Sequence, residues 1–208
     1  FQSKPHSQLN IKIKRMLFAN SLPLTTIIKI INHTGFGVID VRGNAVSFVT
    51  AGCIHVPKGI LSARLGFIYE QLTRIVEETH PTIAAAEIIF LNTNPKTTLL
   101  LGQARGAALA SLASHGLTVE EFSATNIKNS IVGTGRASKL QVQTMVSRLL
   151  ALQDELQPDA ADALACALTC AHSRRMRALE NANTVKVAAG LLRSCLLYTS
   201  DAADDSLR

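Results

Sequence analysis

Apolar residues recur along this chain with two different periods, and the switches between them mark its elements. The β-branched run Thr25-Thr26-Ile27-Ile28-Lys29-Ile30-Ile31 predicts a strand. Phe36 to Val41 and Ala45 to Val56 predict two more, joined as a hairpin by the short turn Arg42-Gly43-Asn44. The period then lengthens. Leu61, Leu65, Ile68, Leu72, Ile75 and Val76 fall on one helical face with Glu77 and Glu78 on the wet side, so 60–79 reads as an amphipathic helix. After Pro81 comes a strand that carries Glu87.

Thr98 to His115 reads as a helix in which Gly102, Ala104, Gly106, Ala107, Ala108 and Ala110 leave a thin side. Such a side admits another backbone, from a neighbouring element or a second subunit. Leu117 to Phe122 predicts a short strand. The Gly133-Thr134-Gly135 loop leads into a helix over about 138–152, with Val142, Met145, Leu149 and Leu152 inward. A last helix starts near Pro158 and runs to about Ala182. A three-strand meander followed by alternating helices and strands predicts an α/β fold, its mixed sheet covered on both faces.

The chain has 208 residues, 47 % of them hydrophobic, enough for one good core and a small appendage. Residues 1–24 are polar and basic without a steady period and read as a fraying tail; 25–194 form the domain. Residues 195–208 set Asp201, Asp204 and Asp205 among alanines with no apolar face. They are assigned no structure and resemble a translated sequencing-adapter read-through. Lys29 and Pro23 interrupt the only candidate membrane span, and no secretory signature is present, so a soluble cytoplasmic protein is expected. The cysteines at 53, 166, 170 and 195 show no CxxC spacing; Cys166 and Cys170 read as small buried hydrophobes. A formal charge of +6 suits a polyanionic partner.

The candidate chemistry lies in the carboxylates. Asp159 and Asp162 stand three apart just after Pro158, so in the first turn of a helix both project from one face. Glu87 lies inside an apolar run, where a charge is costly without a partner. Phosphodiester hydrolysis needs a deprotonated water and a stabilised leaving oxygen, and two divalent ions held by carboxylates supply both. Hard Mg²⁺ takes oxygen ligands of this kind. Each acid also has a structural reading: Asp159 as a helix cap, and Glu87 in a bridge to an arginine such as Arg105.

In their order, Thr34-Gly35-Phe36-Gly37-Val38-Ile39, Glu87, Leu100-Leu101-Gly102-Gln103-Ala104-Arg105-Gly106, Val132-Gly133-Thr134-Gly135, Lys139 and Asp159-Ala160-Ala161-Asp162-Ala163-Leu164 make the chain, over about residues 34–193, resemble the RuvC family of crossover junction endodeoxyribonucleases. The resemblance implies a ribonuclease-H-like fold with a five-stranded sheet, a homodimer, two Mg²⁺ ions per site, and paired nicks across a Holliday junction delivered by the RuvAB branch-migration complex. It makes Glu87, Asp159 and Asp162 three of four metal-binding acids. Phe90 becomes the aromatic set against junction bases, where without the family it is an ordinary core phenylalanine. Lys128 and Lys139 become DNA contacts, where otherwise they are solvated surface lysines. Gln103 and Arg105 fall in a family motif and are assigned to DNA binding with them.

One position departs from the pattern. The family opens with a strand ending in Asp, and here Ile28 stands at that place, before Lys29-Ile30-Ile31-Asn32-His33. Isoleucine has no ligand atom, so the metal site is expected to be weakened or lost. Either the upstream stretch is a frameshifted or mis-assembled reading, or the chain binds four-way junctions without cutting them. A ribonuclease-H-like enzyme acting on RNA or linear DNA is the third alternative.

Overall fold

The computed structural model of the chain describes residues 23–30, 33–88 and 94–204. Its elements follow as β1 (Pro23–Ile30), β2 (His33–Arg42), β3 (Ala45–His55), α1 (Leu61–Thr79), β4 (Ile83–Glu87), α2 (Pro95–Ser114), β5 (Thr118–Phe122), α3 (Ala124–Val132), α4 (Lys139–Leu149) and α5 (Pro158–Asp204). The strands lie in the order β3-β2-β1-β4-β5. β1, β2 and β3 form an antiparallel meander, and β4 and β5 a parallel pair from Ile83 opposite Thr118 to Glu87 opposite Phe122. The two parts meet where Leu24 of β1 pairs with Ile83 in parallel. The β2–β3 turn carries Gly43 at φ 57, a left-handed conformation that glycine adopts without steric cost.

Alternation along the strands sorts the core into two layers. Phe36 and Val38 of β2 and Ala84 of β4 point to a cluster with Ile68, Leu72, Ile75 and Val76 of α1 and Ala104, Ala108 and Leu112 of α2. Ile39, Ile83 and Ala85 point the other way, into a cluster with α3, α4 and the buried run Leu164 to Ala171 of α5. Cys166 and Cys170 of α5 are fully buried there and neither is in a disulfide, as expected of the small hydrophobes the spacing predicts.

Three differences from the sequence reading have physical causes. The apolar pattern passes over α3, a helix of only 9 residues. Its signals are a Ser123 cap that accepts from the Asn126 N–H, Ile127 and Ile131 one turn apart facing inward, and Gly133 closing the helix at φ 81. In α4 the buried residues are Val142 and Val146, followed by Leu150 just past its end, while Leu149, expected inward, is 43 % exposed. Val142 is buried, and Met145 and Leu152 pack against the same cluster, as expected; Val146 takes the central inward place instead of Leu149. α5 runs to Asp204, beyond the end expected near Ala182 and into residues expected to carry no structure. After Pro158 it meets no proline, and its alanines and leucines favour a helix. By contact, the chain divides into two compact units, Phe1–Ala171 and His172–Arg208. The acids lie in the first.

No helix among the described residues is long and apolar enough to cross a membrane.

Candidate acidic site

The motif Thr34-Gly35-Phe36-Gly37 is a seat for a helix. A side chain on Gly35 would collide with the backbone carbonyl of Asp159, and one on Gly37 would come within 2.8 Å of the Leu164 side chain. The first turns of α5 therefore rest directly on β2, at a separation only glycine permits. Between the two glycines Phe36 turns to the opposite face, where it lies across from Gly52 of β3; a Cβ on Gly52 would sit 2.9 Å from the ring.

The start of α5 presents its acids on this seat. The Ala161 N–H donates to the Gln157 carbonyl at 2.9 Å, so the helix opens at Gln157 and Asp159 stands inside the first turn. It lies just inside the capping residue, where its charge offsets the helix dipole as its structural reading has it. Ala160, Ala161 and Ala163 are buried, which keeps the helix slim between the carboxylates. Asp162, three residues on, has a side chain 18 % exposed, and its Oδ2 lies 3.3 Å from Nζ of Lys139. Lys139 is the first residue of α4. A capping box fixes its backbone: Ser138 Oγ accepts from the Gln141 N–H at 3.3 Å, and Gln141 Oε1 accepts from the Ser138 N–H at 2.8 Å.

Two thiols near the acids are held above their ordinary values. Burial raises the Cys53 thiol above its ordinary value, and the charge of Asp159 raises it further against a hydrogen bond from the Ala160 backbone. Cys53 is the β3 residue paired with Gly35, so β3 comes up beside Asp159. Burial also pushes Cys166 well up, followed by Cys170 and then by Glu87. Cys166 lies one turn beyond Asp162, on the same face of α5. Glu87, the last residue of β4, is half-buried, and its charge adds to the rise of the Cys166 thiol.

Position 28 falls between these parts. Continuing the parallel register of Leu24 with Ile83 sets it beside Glu87. On the other side, Ile27 pairs with Phe36 and Ile30 with Thr34, leaving residues 28 and 29 against Gly35 alone, a bulge of two residues opposite one. The residue at 28 is isoleucine. Among the described residues no three His, Cys, Asp or Glu side chains form a group able to hold a metal. Carboxylate oxygens are the right donors for a hard divalent ion. Their number falls short, since Ile28 supplies none and Asp162 already faces an ammonium, so the residues present do not fit a two-ion centre.

The remaining candidates are spread more widely. Nη2 of Arg105 on α2 pairs with Glu121 at 2.7 Å, and its Nε donates to the backbone carbonyl of Glu87 at 3.5 Å, so it ties the end of β4 to β5. Gln103 is exposed on α2, and Lys128 is half-buried on α3. Phe90 lies outside the described residues. Sequence reasoning missed Cys53 as a neighbour of Asp159; its only signal was its place opposite the first glycine of the seat.

The family described as crossover junction endodeoxyribonuclease RuvC matches residues 29–170, opening one residue after Ile28. The match ends short of residue 193, where the resemblance was expected to end. The chain is 54 % identical over 143 residues to the crossover junction endodeoxyribonuclease RuvC of Bordetella parapertussis, covering 68 % of this chain and 79 % of that one. To the protein of the same description from Thiobacillus denitrificans it is 48 % identical over 149 residues, 72 % of this chain and 87 % of the other. Among solved structures it resembles Thermus thermophilus RuvC in complex with a Holliday junction substrate, with a TM-score of 0.70, 28 % identity, and coverage of 74 % and 96 %. The yeast mitochondrial Holliday junction resolvase shares the fold, with a TM-score of 0.54 at 11 % identity over 70 % of this chain and 76 % of that one.

Proposed function

Because this chain belongs to the RuvC family of crossover junction endodeoxyribonucleases, we propose that it acts on four-way junction DNA as a cytoplasmic homodimer, in a ribonuclease-H-like domain with one continuous five-stranded mixed sheet. Two protomers place two sites symmetrically on the junction, each to nick one strand, and RuvAB is the delivering partner. What supports this reading is the pair Asp159 and Asp162 in the first turns of α5, seated on β2 at Gly35 and Gly37, with Glu87 at the end of β4. The Thermus relative solved with a Holliday junction supports the choice of DNA.

In this reading Glu87, Asp159 and Asp162 are the catalytic and metal-binding acids, and two Mg²⁺ ions are the cofactor that the full acid set calls for. With Ile28 in place of the first acid, the chain as written holds metal weakly and does not cut. Lys128 and Lys139 contact phosphates, Gln103 and Arg105 lie at the DNA surface, and Phe90 stacks on a base, worth roughly 1–3 kcal/mol toward holding a junction open. The second reading, a four-way-junction-binding protein without catalysis, is favoured specifically by Ile28.

The test has two parts. In binding titrations the chain should prefer a four-way junction to a linear duplex of equal length; equal affinities contradict both readings. With aspartate restored at 28, Mg²⁺-dependent nicking should appear and be lost again in Glu87→Gln. Nicking that survives Glu87→Gln removes Glu87 from the site.

A further inference from the structure

Lys139 is paired with Asp162 but stays half in solvent. Its Nζ lies 3.3 Å from Asp162 Oδ2 in the protein alone, yet its side chain is 48 % exposed, while that of Asp162 is 18 % exposed. We infer that Asp162 holds Lys139 in reserve, and that a phosphate of the bound DNA takes the ammonium over. This inference rests on the DNA-binding reading above and adds a built-in competitor to it.

The geometry favours exchange. The capping box fixes the backbone of Lys139 at the first position of α4. Its four-carbon stem leaves the ammonium free to swing between partners without moving the helix. The same position is the positive end of an 11-residue helix, where an arriving anion is further favoured. An ion pair exposed to this degree shifts an equilibrium by no more than about fivefold, so a phosphodiester can displace the carboxylate. Transfer of Lys139 to DNA would leave Asp162 without that counter-charge. By linkage, whatever then neutralises Asp162 strengthens DNA binding by the same factor. Asp162 thus restrains binding in the protein without DNA, and DNA relieves the restraint.

The experiment is a double-mutant cycle of DNA affinity in EDTA, using the full chain, Asp162→Asn, Lys139→Met and the double variant, each titrated with a four-way junction and a linear duplex. Thermal unfolding of each variant checks its fold. Asp162→Asn should bind about three- to fivefold tighter. Lys139→Met should bind more weakly, with a salt slope shallower by about one. In the Lys139→Met background, Asp162→Asn should add nothing. An equal gain in both backgrounds means that loss of a negative charge, not release of Lys139, drives the effect, and overturns the inference; no gain in Asp162→Asn also overturns it. Absence of junction preference in the parent chain would count against the proposed function alone, since the cycle is scored on either DNA.

Discussion

The backbone carbonyl of Asp159 occupies the space that a side chain on Gly35 would need. This contact sets how closely the acid-bearing helix lies on the sheet, because the obstructing atom is backbone and cannot swing away as a side-chain tip can.

Gly35→Ala should therefore destabilise the protein by about 2–3 kcal/mol, as overpacking does, and displace the start of α5. Urea unfolding monitored by circular dichroism measures it. Gly66→Ala on α1, where a Cβ meets nothing within 4 Å, is the control and should not destabilise.

Leu164→Ala should cost about 2–5 kcal/mol, since the side chain is fully buried against β2. Leu149→Ala, at a position 43 % exposed, should stay within about 0.5 kcal/mol. Comparing the two in one denaturation series tests the assignment of the α4 and α5 faces.

Much of this fold was legible in the sequence. The strand runs, the helix over 60–79 and the carboxylates after Pro158 carry strong local signals, and long-range contact did not override them. What the sequence hid is what contact decides. α3 is too short for a clear period, and in α4 the period left Val146 and Leu149 as rivals for one inward place, which Val146 takes. The seat at Gly35 and Gly37 appears in sequence only as a motif; its reason, the approach of Asp159 and Leu164, is long-range. Glu87 and Asp162 were legible as candidates, but the pairing of Asp162 with Lys139 was not, because nothing local predicts an ion pair across 23 residues.

Cys166 should shape the alkaline limb of stability. Burial raises its thiol well above the ordinary 9.0, so the folded state keeps the proton after the unfolded chain has lost it. The contribution is fully present below about pH 9 and falls as pH rises above it, because there the unfolded state binds fewer protons. Urea unfolding from pH 7 to 10.5 should show this decline, and Cys166→Ala should show a shallower one despite a lower plateau. Parallel curves would mean that other groups set the limb.

DNA binding should weaken steeply with salt, since each phosphate contact releases counterions. Log affinity against log salt for a four-way junction should be linear with a slope of several units. A flat line would exclude a phosphate-contacting surface.

If the proposed junction-nuclease site lacks only an acid at position 28, restoring that acid should restore cutting. Side-by-side cleavage of a labelled four-way junction by the chain and by Ile28→Asp, in Mg²⁺ and with binding recorded in the same reactions, tests it most directly. Cleavage by Ile28→Asp alone, with both proteins bound, is the predicted result. Cleavage by the unaltered chain, or binding by both with cleavage by neither, would contradict it.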